Sequence, residues 1–73
     1  MRTLSDLKLK ETATITGFTD DLLSVKLMEM GCLPGTEVSL QLIAPFGDPI
    51  AIEVAGYQLS LRRKEASSIL IEE

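Results

Sequence analysis

The sequence has no histidine, no tryptophan and one cysteine, Cys32. Without histidine, the common zinc sites and the usual general base are both missing. A single cysteine excludes an internal disulfide, and a lone thiol agrees with a reducing compartment. Aromatic residues make up only 4% of the chain, too few for a base-stacking platform. Basic charge is also scarce: 7 Lys and Arg face 11 Asp and Glu, for a net charge of −4. A nucleic-acid binder needs a basic face to displace phosphate counterions, so that class is disfavoured. No apolar run approaches the roughly 20 residues of a membrane span. The opening MRTLSDLKLKE lacks the apolar stretch of a signal peptide. Glycine-rich phosphate loops and nucleophile–base pairs are absent as well. These absences predict a cytoplasmic protein with no catalytic residues, no bound cofactor and no direct membrane insertion.

What is present is a hydrophobic fraction of 45% spread over 73 residues. That length supports one domain, residues 1–73, held by packing alone. At this size folding removes only about 60% of the extended chain's surface from water. Total stability is expected at roughly 4–11 kcal/mol.

The order of elements is legible. Thr3 to Leu7 reads as a tucked-in turn with Leu4 and Leu7 on one side. Thr12 to Phe18 is rich in β-branched residues and alternates, so it reads as a strand with Ala13, Ile15 and Gly17 on one face. Asp21 to Met30 reads as a helix. Thr19 or Asp20 can cap it, and Gly31 supplies the left-handed residue that stops it. Leu23, Leu27 and Met30 fall on one stripe, which should face the core. Leu33-Pro34-Gly35-Thr36 suits a type II turn. Glu37 to Ile43 follows as a strand with Val38, Leu40 and Leu42 expected inward. Residues 44–49 contain two prolines and a glycine and read as a loop. Ile50 to Ala55 and Tyr57 to Leu61 form strands about a turn at Gly56. Arg63 to Ser67 makes a short helical turn, and Ser68 to Ile71 closes the chain. The sum is an all-β fold of about five strands with one α-helix. Open sheet edges favour curling into a small barrel.

Three runs together resemble one family. Lys26-Leu27-Met28-Glu29-Met30-Gly31-Cys32-Leu33-Pro34-Gly35-Thr36 is similar to the helix–glycine–turn element of the ferrous iron transport protein A (FeoA) family. Ala44-Pro45-Phe46-Gly47-Asp48-Pro49-Ile50 resembles that family's proline-bounded loop, and residues 56–66 resemble its C-terminal element. The resemblance implies an SH3-like barrel. It also implies a cytoplasmic accessory of a bacterial ferrous iron permease, with that permease's GTPase-bearing cytoplasmic part as partner. The alternative it leaves is a detached SH3-like regulatory module of an iron-dependent repressor system.

The family label invites a metal, yet the ligand set is thin. The acidic pairs Asp20-Asp21 and Glu72-Glu73 read as a dipole complement and a solvated tail, so no metal site is expected. Cys32 follows a helix C-terminus, where the dipole disfavours a thiolate, and it reads as a packing residue. Partner binding has better candidates. Val25 and Met28 project opposite the core stripe, with Leu22 at its border. Either they form a contact patch or a neighbouring segment covers them. Phe46 is either an exposed anchor or a plug folded into the barrel end. Arg62-Arg63-Lys64 is the basic cluster; Arg62 and Arg63 are candidates for docking on an acidic partner or for reaching into its GTPase site. The plainer reading is a solvated turn. Homo-oligomerisation through Val25 and Met28 is left open.

Overall fold

Alternation of small and β-branched residues puts Ala13 and Ile15 on the buried face of the strand Thr12–Phe18 (β2), as their spacing predicts. The computed structural model describes residues 2–72. A short strand, Arg2–Thr3 (β1), and a 3₁₀ helix, Leu4–Asp6, precede β2. The helix Asp21–Glu29 (α1) follows, then the strands Glu37–Ile43 (β3), Ile50–Val54 (β4) and Tyr57–Leu61 (β5). A helical turn, Arg63–Ala66 (α2), leads to the last strand, Ile69–Glu72 (β6).

All pairings are antiparallel, in the order β1-β6-β2-β3-β4-β5. The sixth strand beyond the expected five is β1, formed where the tucked-in turn first meets β6. Leu4 and Leu7 are buried as expected. The sheet bends at two register shifts, between Ile15 and Gly17 in β2 and between Leu40 and Leu42 in β3. Each inserts one unpaired residue and increases local twist, which is how so short a sheet curls. Beyond the outer strands, α2 packs on the 3₁₀ helix and closes the seam. The result is the expected mainly-β, SH3-like barrel with one long helix.

The core runs through every strand but β1: Ile15, Val38, Leu40, Ile50, Ile52, Val54, Leu61 and Ile69 are each at most 1% exposed. One inward expectation fails. Leu42 is 59% exposed, because the bulge at Gln41 shifts β3 against Ala51 and breaks its alternation from that point, so that Ile43 is exposed as well. The turn at residues 33–36 forms as predicted, with Thr36 N–H donating to the Leu33 carbonyl at 3.0 Å and Gly35 at φ 90°.

Candidate docking surface

Helix α1 starts where a free backbone N–H finds a side-chain acceptor. Asp20 Oδ1 takes the Leu23 N–H at 3.0 Å, which settles the cap between Thr19 and Asp20. The helix ends at Gly31, whose φ of 104° lets the Cys32 N–H return to the Leu27 carbonyl at 3.0 Å. Those two ends fix its rotation over the sheet. Leu27 is fully buried, and Leu23 and Met30 pack half-buried beside the core. The opposite face is open: Leu22 is 88% exposed, Val25 58% and Met28 37%. Neither the N-terminal segment nor the 44–49 loop shields them to burial. Leu22 is not at the border of the core stripe but fully outward.

The loop carries the second apolar feature. Phe46 is 100% exposed at its tip, so the plug reading does not hold. The loop beneath it is tied down. Ala44 N–H donates to the Pro49 carbonyl at 3.1 Å, and Gly47 N–H to the Ala44 carbonyl at 2.8 Å.

Arg63 supplies the rest of that anchoring. Its backbone N–H donates to Asp48 Oδ1 at 3.0 Å, its Nε to the Gly47 carbonyl, and its Nη1 to the Ser5 carbonyl at 3.1 Å. The part-buried guanidinium thus fastens the loop to the N-terminal 3₁₀ helix across the seam. These bonds engage the Arg63 backbone N–H, Nε and Nη1 within the fold. Arg62 and Lys64 are exposed. The cationic surface there is Arg62 with Lys64.

Three features had no signal in the sequence. Tyr57 bonds through its hydroxyl to the Met30 carbonyl, bracing β5 against the end of α1. Glu65 accepts from Lys26 Nζ and from the Arg62 N–H, both at 2.9 Å, and so links α1 to α2. These contacts join residues 27 and 39 positions apart, which no local pattern reports. The third is the exposure of Leu42 and Ile43 beyond the bulge.

The Lys26 hydrogen bond, followed by the Arg62 N–H, holds the Glu65 carboxyl below the usual carboxylate range. A carboxyl with a lowered folded pKa stabilises the fold above its unfolded pKa and loses that contribution as pH falls through the folded value. Lys26→Gln should therefore flatten the acid limb of a Tm-against-pH curve. Lys26 Nζ sits on a largely exposed side chain, so the change at neutral pH should stay under about 1 kcal/mol. An unchanged acid limb would remove the pair from the account.

Cys32 is fully buried, and burial followed by the Glu65 charge pushes its thiol up. That is the chemistry of a packing residue. Among the described residues no three His, Cys, Asp or Glu side chains converge as metal ligands. Two shallow clefts of about 400 and 370 Å³ mark the surface, one beside Glu37 and Glu53, the other between Met30, Pro49 and Leu61. No helix among the described residues is long and apolar enough to cross a membrane.

Comparisons with known proteins agree with this architecture. A model of the FeoA domain matches residues 2–73. The solution structure of a FeoA-like protein from Clostridium acetobutylicum is 39% identical, with a TM-score of 0.89 over 96% of this chain and 83% of its own. The crystal structure of Stenotrophomonas maltophilia FeoA with zinc is 28% identical, with a TM-score of 0.86 over 99% of this chain and 91% of its own. That protein is described as a prokaryotic SH3 domain protein suggested to be a ferrous iron transport activating factor. The crystal structure of T. acidophilum IdeR is similar in fold alone, at 19% identity and a TM-score of 0.81 over 96% of this chain and 32% of its own.

Proposed function

This chain belongs to the FeoA family, and we propose that it is a cytoplasmic accessory protein of a ferrous iron permease. It docks on the permease's GTPase-bearing cytoplasmic part and supports assembly or activity of iron uptake. The observation that carries the docking role is the outward apolar face of α1, with Leu22 88% exposed beside Val25 and Met28, together with Phe46 at 100%. Large apolar side chains so exposed gain about 25 cal/mol per Å² when covered, which offsets the entropy lost on association. The loop anchored by Arg63 presents Phe46 without further ordering, which lowers the entropy lost on binding.

Leu22→Asp, Met28→Asp and Phe46→Ala test this reading against co-purification with the permease. Leu22→Asp adds an acid in the first turn of α1, where the helix dipole favours it, so the fold should stand unchanged. Phe46→Ala should shift stability by no more than about 0.5 kcal/mol, as for other exposed sites. Each should weaken association about ten-fold. Full retention by all three would remove this surface from the proposal. Capture of a soluble DNA-binding regulator in place of the permease would favour the repressor-module alternative, for which the likeness to IdeR supplies only the fold.

A further inference from the structure

β5 ends the sheet, and its outer edge is open. Ala55 and Gly56 make a two-residue hairpin turn with φ of 52° and 84°, so Val54 and Tyr57 form a hydrogen-bonded pair. Alternation along an antiparallel ladder then aims the backbone groups of Tyr57, Leu59 and Leu61 at β4. Those of Gln58 and Ser60 point away from the sheet. Among the described residues, no group from another element bonds to those outward N–H and C=O groups. Gln58 and Ser60 are exposed. The open edge stops at Arg62, whose N–H is taken by Glu65 Oε1 at 2.9 Å and whose carbonyl is taken by the Ala66 N–H at 3.0 Å.

Two further features lie at that stop. The cleft of about 370 Å³ opens beside Ser60 and Arg62, with Met30, Pro49 and Leu61 as its apolar walls and the Lys26–Glu65 ion pair completing its lining. Arg62 and Lys64 make no ion pair among the described residues, although the chain as a whole carries a net charge of −4. An unpaired backbone edge, a cleft with apolar walls and two exposed cations thus adjoin one another, with Glu65, already bonded to Lys26, the acid beside Arg62.

We propose that this edge accepts an extended acidic segment of a partner protein. The segment adds as a further strand against Gln58–Ser60, seats an apolar side chain between Met30, Pro49 and Leu61, and sets carboxylates against Arg62 and Lys64. Main-chain bonds supply affinity in such additions, and side-chain pockets supply selectivity. Charge complementarity picks the occupant: β5 itself, Tyr57–Leu61, carries no acid, so a second copy paired edge to edge leaves both cations unmet. The site differs from the outer face of α1 and from Phe46, and it stands whether or not those dock a permease.

The test is a titration of the isotope-labelled chain with a short capped peptide of alternating valine and threonine, ending in a pair of aspartates. Amide shifts should centre on Gln58, Leu59, Ser60 and Arg62, and binding should weaken as salt rises. A backbone N-methylated version should bind at least about ten-fold more weakly, and so should a version with lysines for the aspartates. Ser60→Pro should remove binding while the melt is kept, because proline is tolerated where a strand N–H faces solvent. If that variant does not fold, the N-methylated peptide carries the same test. Equal binding of the N-methylated and parent peptides would overturn the proposal. So would shifts confined to Leu22, Val25 and Met28, or self-association of the free chain through residues 58–60.

Discussion

Gly31→Ala should lower the stability of this domain by about 2–3 kcal/mol, a Tm loss of roughly 10–20 °C at this chain length. Two costs add. The backbone at Gly31 has φ 104°, where a side chain is strained. A Cβ there also runs into the Tyr57 hydroxyl, which bonds the Met30 carbonyl one residue earlier. Displacing that ring would loosen β5 from the end of α1. The two costs separate in a double-mutant cycle. In a Tyr57→Phe background the colliding oxygen is gone and only a tight contact with the ring carbon Cζ remains, at 3.2 Å, so Gly31→Ala should cost little more than the backbone part, about 1–2 kcal/mol. An equal cost in both backgrounds would show that the tyrosine contact contributes nothing.

Arg63→Ala should cost about 2–4 kcal/mol, a large share of the stability expected of so small a domain. Its guanidinium donates to the Gly47 and Ser5 carbonyls, 16 and 58 positions away, and truncation strands both acceptors. The backbone N–H bond to Asp48 survives the change, which keeps the loss finite. Arg63→Lys should recover little of it. One ammonium on a flexible stem cannot serve two carbonyls in the fork geometry of a guanidinium. Arg62→Ala, on the exposed neighbour, should stay within about 0.5 kcal/mol of the parent. Chemical denaturation of the three variants decides the matter, and equal midpoints for Arg62→Ala and Arg63→Ala would refute the assignment. The pairing also bears on function. Adjacent arginines differ in what they hold: Arg63 fastens the Phe46 loop, and the Arg62 side chain is exposed.

Most of the fold was legible because it is written in local rules. Alternation marked the strands, Asp20 and Gly31 bracketed α1, and Leu33-Pro34-Gly35-Thr36 specified its turn. The stripe of Leu23, Leu27 and Met30 implied an outer face carrying Val25 and Met28, and both are exposed. Leu42 departs from the alternation because a β-bulge is a property of two strands together. Nothing in Glu37–Ile43 reveals that Ala51 will stand opposite Leu42.

The arginine cluster shows the same division. Composition alone determined a small acidic domain without histidine ligands, paired cysteines or a basic face, and three runs of sequence pointed to the FeoA family. Whether a basic side chain is spent on the fold or left for a partner depends on which carbonyls come near it. Gly47 and Ser5 reach Arg63 only once the 44–49 loop and the N-terminal 3₁₀ helix meet across the barrel seam. The same closure leaves Phe46 outside and the edge of β5 open, since both depend on where distant strands end. Periodicity is local and survives in the sequence. Proximity between residues tens of positions apart exists only after the sheet has curled.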